Sequence, residues 1–182
     1  MEGIMNRFIV ILLFIPQLLW SQELESWNVW TPLEYFIGDW EGQSFGEAGE
    51  GTGQRNYQFV MGSSYLYDRN MIEFEPQGNN ATGRVHEDLV FFNYDKQRKV
   101  ITAHRFCNKG IYYKFVLDSV ESDNLNLVFV SEYSENALPG LCMRISYKIL
   151  SPEIFIETIE SCFPGKEDTC ILTTNWKRKT EL

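Results

Sequence analysis

Between Gly38 and the C-terminus, hydrophobic and polar residues alternate with a period of two, which is typical of strands buried on one face. Turn-forming segments such as GEAGEGTG, NKG and SPE interrupt this alternation. The pattern predicts ten strands, at about 39–47, 53–61, 64–75, 86–94, 99–107, 111–120, 124–133, 141–150, 153–162 and 169–178. Before them, Thr31 as N-cap and Pro32 at the first helical position predict one short helix.

The short connections between these strands indicate how the sheet is arranged. Loops of hairpin length leave too little chain for crossover helices, so the sheet should be antiparallel throughout. An open sheet of ten strands has two unpaired edges, and closing it removes both. We therefore expect an all-β fold, an up-and-down antiparallel β-barrel of about ten strands rather than a sandwich. A barrel of this size exceeds what inward side chains fill, which predicts a cavity.

Composition and charge narrow the possible functions. The chain has 182 residues, of which 44% are hydrophobic and 15% aromatic, enough to bury a core in a single domain. Its formal charge of −9 and pI near 4.8 argue against binding to nucleic acid, because such binding requires a basic surface. The same acidity argues against binding to anionic lipid, and it favours solubility.

The N-terminal segment has the pattern of a secretory signal peptide. Arg7 precedes an apolar stretch from Phe8 to Trp20, which is too short for a typical membrane span. We expect cleavage after Ser21, so that residues 1–21 are removed and 22–182 form the barrel domain. The alternatives are an uncleaved anchor or cleavage one or two residues away. The mature protein is therefore predicted to be exported, periplasmic or extracellular, without membrane insertion.

Four cysteines are an even number in an exported chain, where disulfides persist. In the predicted meander all four flank loops at the same end of the barrel. Cys162 and Cys170 straddle one loop and form the first predicted disulfide, and Cys107 with Cys142 forms the second. No C-x-x-C spacing is present, so we predict no zinc site and no other metal.

The FIGDWEG segment carries a family resemblance. Gly38 and Trp40 form a Gly-x-Trp motif at the head of the first strand, after a short helix and before a β-meander, and this arrangement resembles the calycins, which include lipocalins and fatty-acid-binding proteins. The resemblance implies that Trp40 plugs one barrel end against a basic residue of the last strand, Arg178 or Lys177, through a cation–π contact.

The chain is also similar in outline to the haem-binding nitrobindin-like barrels. In those proteins a histidine on the final strand holds the iron. Here Thr173 or Thr174 stands at that position, and His104 is the other conceivable ligand. We therefore predict no cofactor.

Alternation along the strands predicts which side chains face the cavity. The inward faces are aromatic and contain methionine, which suits a small hydrophobic or aromatic ligand with one polar group. The alternative is that the same side chains simply fill the barrel. The predicted ligand contacts are Tyr67, Arg69, Phe92, His104, Tyr113, Phe115, Phe129, Met143 and Tyr147.

One pair of polar residues is a weak candidate for catalysis. If the turn from Asp95 to Arg98 closes a tight hairpin, Val90 lies opposite His104, and Asp88 is one diagonal step away. Asp88 would then orient the His104 ring, as in a general acid–base pair. No nucleophile at a suitable spacing accompanies the pair, and a buried His–Asp pair is more often structural.

Three classes of function remain after these arguments. The first and favoured class is an exported binding protein for a small hydrophobic ligand. The second is an enzyme of the isomerase or lyase type that uses the cavity through Asp88 and His104. The third is a structural or partner-binding module, which predicts an apolar patch outside the barrel. The sequence leaves the oligomeric state open.

Overall fold

The computed structural model describes residues 28–78, 80–120 and 125–180. The predicted signal peptide lies outside these residues. All ten predicted strands are present. They are β1 (Gly38–Gly46), β2 (Gly49–Val60), β3 (Tyr65–Phe74), β4 (Arg84–Asp95), β5 (Val100–Cys107), β6 (Tyr112–Val120), β7 (Asn126–Glu135), β8 (Cys142–Ser151), β9 (Ile154–Cys162) and β10 (Thr169–Arg178).

The strands form one closed barrel, which confirms the predicted fold. Each strand pairs antiparallel with its neighbours in the sequence, and β1 also pairs with β10. In this last pairing Trp40 lies opposite Arg178 and Gly46 opposite Leu172. Closure leaves no unpaired sheet edge, which is the physical reason that a meander of this length forms a barrel. Alternate residues of every strand are buried in the interior.

The N-terminal helix is shorter than the sequence suggests and is capped differently. It is a 3₁₀ helix of three residues, Glu34–Phe36, whose N-cap is Leu33 and has no side-chain cap. Thr31, the predicted N-cap, instead donates a hydrogen bond from Oγ1 to the Asn28 carbonyl at 2.8 Å. Packing explains the difference, because Leu33 and Phe36 are buried against the barrel and fix this segment. No helix among the described residues is long and apolar enough to cross a membrane.

One end of the barrel is sealed by Trp40 and Arg178. Trp40 is fully buried, and its Nε1 donates a hydrogen bond to the Phe36 carbonyl at 2.7 Å. The guanidinium carbon of Arg178 lies 4.1 Å from the centroid of the Trp40 ring, which is the cation–π contact that the calycin resemblance implies. Arg178 also donates to the carbonyls of Ile37 and Tyr35, both at 2.6 Å. These bonds tie the last strand to the segment that closes the barrel.

The four cysteines lie at the opposite end, as predicted, but the predicted pairing is wrong. Cys142 and Cys162 lie directly opposite each other on β8 and β9 and form a disulfide, with Cα atoms 5.0 Å apart. Cys107 and Cys170 are free thiols. The β9–β10 register places Cys170 opposite Glu160 instead of Cys162, so the predicted bridge across that loop does not form. Because Cys142 is already paired, it is not available to Cys107.

The disulfide makes a direct prediction for stability. Replacing Cys142 and Cys162 together by alanine opens a loop with a sequence separation of 20 residues. On the loop-entropy model this should lower the free energy of unfolding by about 3 kcal/mol, measured by urea denaturation. Cys170→Ala is the control and should change it by less than about 0.5 kcal/mol, because Cys170 is exposed. Non-reducing peptide mapping that links Cys162 to Cys170 would contradict the structure.

Candidate functional site

The end of the barrel opposite Trp40 contains a cavity of about 250 Å³, which we call the mouth cavity. The inner faces of the strands at this end and two connecting loops line it. The lining residues are Glu47, Ala48, Phe74, Arg84, His86, Arg105, Cys107, Lys109, Ile111, Tyr113, Phe115, Met143, Ile159, Ile171 and Leu172.

The two sides of the mouth cavity differ in polarity. Strands β8, β9 and β10 contribute an apolar wall, formed by Met143, Ile159, Ile171 and Leu172. Strands β4 and β5 contribute the polar wall, with Arg84 at its exposed edge. A cavity of this kind suits a ligand with an apolar body and one polar end.

The polar wall contains a buried charged cluster of Asp88, Arg105 and His86. The His86 Nε2 atom lies 2.8 Å from Oδ2 of Asp88, and Arg105 forms a buried ion pair with the same oxygen through Nη2. Burial disfavours the charge on Asp88, but Arg105 and His86 outweigh it and hold the pKa of this carboxyl well below its usual value. Asp88 is therefore ionised at neutral pH and fixes the positions of the other two side chains.

This cluster leaves polar atoms available. Arg105 Nε, Asp88 Oδ1 and His86 Nδ1 are buried and have no hydrogen-bond partner among the described residues. Buried polar atoms are normally satisfied, so unpaired atoms beside a cavity indicate a place where a ligand or water binds. Cys107 lies next to them, and burial, opposed by Arg105, raises the pKa of its thiol to about 12. Cys107 is thus a neutral thiol at physiological pH.

Deeper in the barrel a second charged cluster forms the floor below the mouth cavity. Arg55 of β2 donates two hydrogen bonds to Asp68 of β3, at 2.9 and 2.7 Å, and one to Glu157 of β9, at 2.7 Å. All three residues are at most 4% exposed. Burial opposes the charge on Arg55, but Asp68 and Glu157 outweigh it and raise the pKa of its guanidinium well above its usual value.

Aromatic rings surround the Arg55 guanidinium. Its central carbon lies 5.0 Å from the Tyr57 centroid, 5.8 Å from the Tyr147 centroid and 5.3 Å from the Trp176 centroid. Trp176 also donates a hydrogen bond from Nε1 to Glu157 at 3.1 Å. The space left at this level is only about 10 Å³, so the centre of the barrel is filled.

The predicted ligand contacts fall into three groups. Tyr113, Phe115 and Met143 line the mouth cavity. Phe92, Phe129 and Tyr147 face inward as predicted, but they pack around the filled centre. Tyr67, Arg69 and His104 were placed on the wrong face, because they lie outside the barrel.

The predicted pairing of Asp88 with His104 is wrong by one position in the register. Val90 lies opposite Arg105, and His104 lies opposite Phe91 on the outer face. The physical reason is the β4–β5 loop. Asp95 pairs with Val100, so the loop has four residues, one more than a pairing of Val90 with His104 requires, and Lys99 adopts a φ of 55°. A shift of one residue moves every side chain of a strand to the other face.

His104 instead belongs to an aromatic band on the outer face of β3 to β7. Its Nδ1 lies 2.8 Å from the Tyr112 hydroxyl. Burial and the Lys114 charge lower the pKa of its imidazole, so it is neutral at pH 7. The side chains of this band are partly or fully exposed on the outside of the barrel. Its members are Tyr67, Phe91, His104, Phe106, Tyr112 and Tyr133.

The prediction of which β3 residues point into the barrel is also wrong. Its inward residues include Asp68 and Asn70, which are buried, while Arg69 points outward and pairs with Glu87 at 2.9 Å. Both faces of β3 carry apolar side chains. Because charged residues usually lie on the outside, the charged side chain on the inner face led to the prediction that this face points outward. Tyr67 therefore packs against Phe91 outside the barrel, with ring centroids 5.1 Å apart.

The residues present do not fit haem. Thr174, which with Thr173 is one of the two residues that the resemblance sets in the place of the histidine, shares a buried hydrogen bond of 2.8 Å with the Ser44 hydroxyl. His104 lies outside the barrel. The mouth cavity is also smaller than the range of about 300–1,000 Å³ typical of drug-sized ligands. In the part of the chain that the structure describes, no group of three His, Cys, Asp or Glu residues is placed to bind a metal ion.

Sequence reasoning identified only part of the polar wall. Alternation along β4 places His86 and Asp88 together on the inward face, which the structure confirms, and Arg84 shares this face but lies before the predicted strand. Arg105 was missed because the phase of β5 was reversed. Lys109 lies in the β5–β6 loop, where alternation gives no information.

Comparisons with known proteins support the fold. No family model and no curated protein matches this sequence. Among solved structures, the chain is similar to Rv2717c from M. tuberculosis, with a TM-score of 0.63 and 14% sequence identity over 84% of this chain and 98% of that chain. At this identity the likeness shows a shared barrel fold alone.

The charged cluster of the polar wall predicts a pH-dependent stability effect. Asp88→Asn leaves Arg105 as a buried cation without its counterion, so the free energy of unfolding should fall by about 3–5 kcal/mol at pH 7 in urea titrations. Because the pKa of Asp88 is lowered in the folded state, its contribution is present above the unfolded value of about 3.9 and is lost as the pH falls. The difference between the two proteins should therefore narrow below about pH 4.

The matched control is Asp118→Asn, because Asp118 is exposed on β6. This variant should differ from the unmodified protein by less than about 0.5 kcal/mol at either pH. A cost below about 1 kcal/mol for Asp88→Asn at pH 7 would show that Asp88 does not neutralise Arg105.

Proposed function

We propose that this protein is an exported, calycin-like binding protein that holds a small, largely apolar molecule in the mouth cavity. The observation that carries the proposal is the cavity of about 250 Å³, apolar on the β8–β10 side and polar on the β4–β5 side. A protein cavity of about 150 Å³ is large enough to bind benzene. The mouth cavity therefore has room for one aromatic ring with a short substituent.

The calycin-like assignment rests on the sealed end of the barrel. The Gly-x-Trp motif, the stacking of Arg178 on Trp40 and the closed ten-strand meander occur together, as the resemblance implies. Export is supported by the N-terminal signal pattern and by the Cys142–Cys162 disulfide, since disulfides persist in oxidising compartments.

Ligand binding is favoured over catalysis because the proposed catalytic pair is separated. Asp88 faces the interior, whereas His104 faces outward against Tyr112. Proton transfer between them would require hydrogen-bonding distance, which opposite faces of a sheet do not allow. The aromatic band around His104 favours, as a second function, contact with another protein.

Blocking the mouth cavity should weaken the binding of a neutral aromatic probe. We expect the unmodified protein to bind cinnamamide in isothermal titration calorimetry. Ile171→Trp places a large ring on the apolar wall and should weaken the affinity at least about tenfold, because the added ring occupies the probe's volume.

Val85→Trp is the matched control. Val85 lies on the outer face of β4, between two lining residues, and is 52% exposed. This variant should bind cinnamamide as the unmodified protein does. Absence of heat with the unmodified protein, or unchanged binding by Ile171→Trp, would count against the mouth cavity as the binding site.

A further inference from the structure

Positive charge is concentrated around the mouth cavity of an otherwise acidic protein. Three cationic residues line the cavity, namely Arg84, Arg105 and Lys109, against a single acidic residue, Glu47. The whole chain, in contrast, has 25 acidic and 16 basic residues. A concave, cationic site in a low-dielectric wall concentrates anions near it.

The two outer cations, Arg84 and Lys109, lie on neighbouring segments of the chain. Arg84 begins β4, and Lys109 lies in the adjacent β5–β6 loop. Asn108, next to Lys109, donates a hydrogen bond from Nδ2 to the Val85 carbonyl at 3.0 Å, which holds this loop beside the start of β4. Burial and the charge of Arg84 lower the pKa of Lys109. Neither forms an ion pair among the described residues, whereas Arg98 bonds to Glu132 at 2.7 Å. An anion bound between them would remove this repulsion.

Arg105 extends the cationic surface into the cavity. It is 6% exposed, and its Nε has no hydrogen-bond partner in the described chain. Asp88 occupies only Nη2 of the guanidinium. Asp88 thereby fixes the orientation of Arg105, while the unpaired Nε remains as a buried donor.

The arrangement of charge and apolar surface defines the class of ligand. On the basis of the proposed function, we propose that the mouth cavity binds a small organic carboxylate, with its carboxylate between Arg84 and Lys109 and its apolar body against Met143 and Phe115. Carboxylates form strong, charge-assisted hydrogen bonds with guanidinium and ammonium groups. The apolar wall supplies burial for the remainder of the molecule.

The test compares two ligands of nearly the same shape and different charge. Cinnamate carries a carboxylate, and cinnamamide carries a neutral amide in its place. We expect the unmodified protein to bind cinnamate at least about tenfold more tightly in isothermal titration calorimetry at pH 7. The double variant Arg84→Gln/Lys109→Gln should lose this preference and bind the two ligands with affinities that differ by less than about twofold.

The control variant removes two cations elsewhere. Lys96→Gln/Lys148→Gln changes the net charge by the same amount, but Lys96 lies in the β4–β5 turn at the sealed end and Lys148 is exposed on β8. This variant should keep the preference for cinnamate. The comparison separates a local effect of Arg84 and Lys109 from a general effect of charge.

The possible outcomes distinguish this inference from the proposed function. Equal affinities of the unmodified protein for both ligands would overturn the inference and leave the proposed function standing. The same holds if the Arg84/Lys109 double variant keeps its preference, or if the control variant loses it. Binding of neither ligand would contradict the proposed function itself. The comparison on the unmodified protein needs no variant, so misfolding of a variant does not affect it.

Discussion

The structure depends on a buried ion cluster at the centre of the barrel. Arg55 connects β2 to β3 through Asp68, and through Glu157 to β9, from which β2 is separated by β1 and β10. A buried charge is tolerated only when it is paired and hydrogen-bonded, and Arg55 supplies the positive charge and the donors for both carboxylates. The cluster therefore ties β2, β3 and β9 together and fills the space that a hollow interior would leave. The close fit of Trp176 against the β1–β2 wall depends on glycine, since a Cβ at Gly53 would lie 2.6 Å from its ring.

The location of the binding site follows from this cluster. With the centre filled and Trp40 sealing one end, the interior space of the described barrel lies above Arg55, at the end where the cysteines lie. At that end the charged cluster of Asp88, Arg105 and His86 forms the polar wall of the mouth cavity, and strands β8 to β10 form the apolar wall. The mouth cavity is therefore small, with one polar and one apolar wall, and the inward-facing residues of a few strands determine which ligand it can bind.

The sequence was a good guide to the barrel and a partial guide to its interior. Strand positions and closure follow from period-two alternation and from the cost of unpaired edges, and the role of Trp40 follows from the Gly-x-Trp motif. The face of β3 was misread because Asp68 is buried beside Arg55, and charge on an inner face contradicts the usual rule. The face of β5 was misread because Lys99 adds one residue to a turn. The disulfide pairing depended on register between strands, which alternation within one strand does not contain.

The most direct test of this account is the stability of Arg55→Met in urea denaturation. Removing the guanidinium leaves two buried carboxylates without a counterion, so the account predicts a loss of at least about 3 kcal/mol in the free energy of unfolding. The control Arg69→Met removes an exposed ion pair from the neighbouring strand and should cost no more than about 1 kcal/mol. If both variants lie within about 1 kcal/mol of the unmodified protein, the barrel does not depend on the Arg55 cluster.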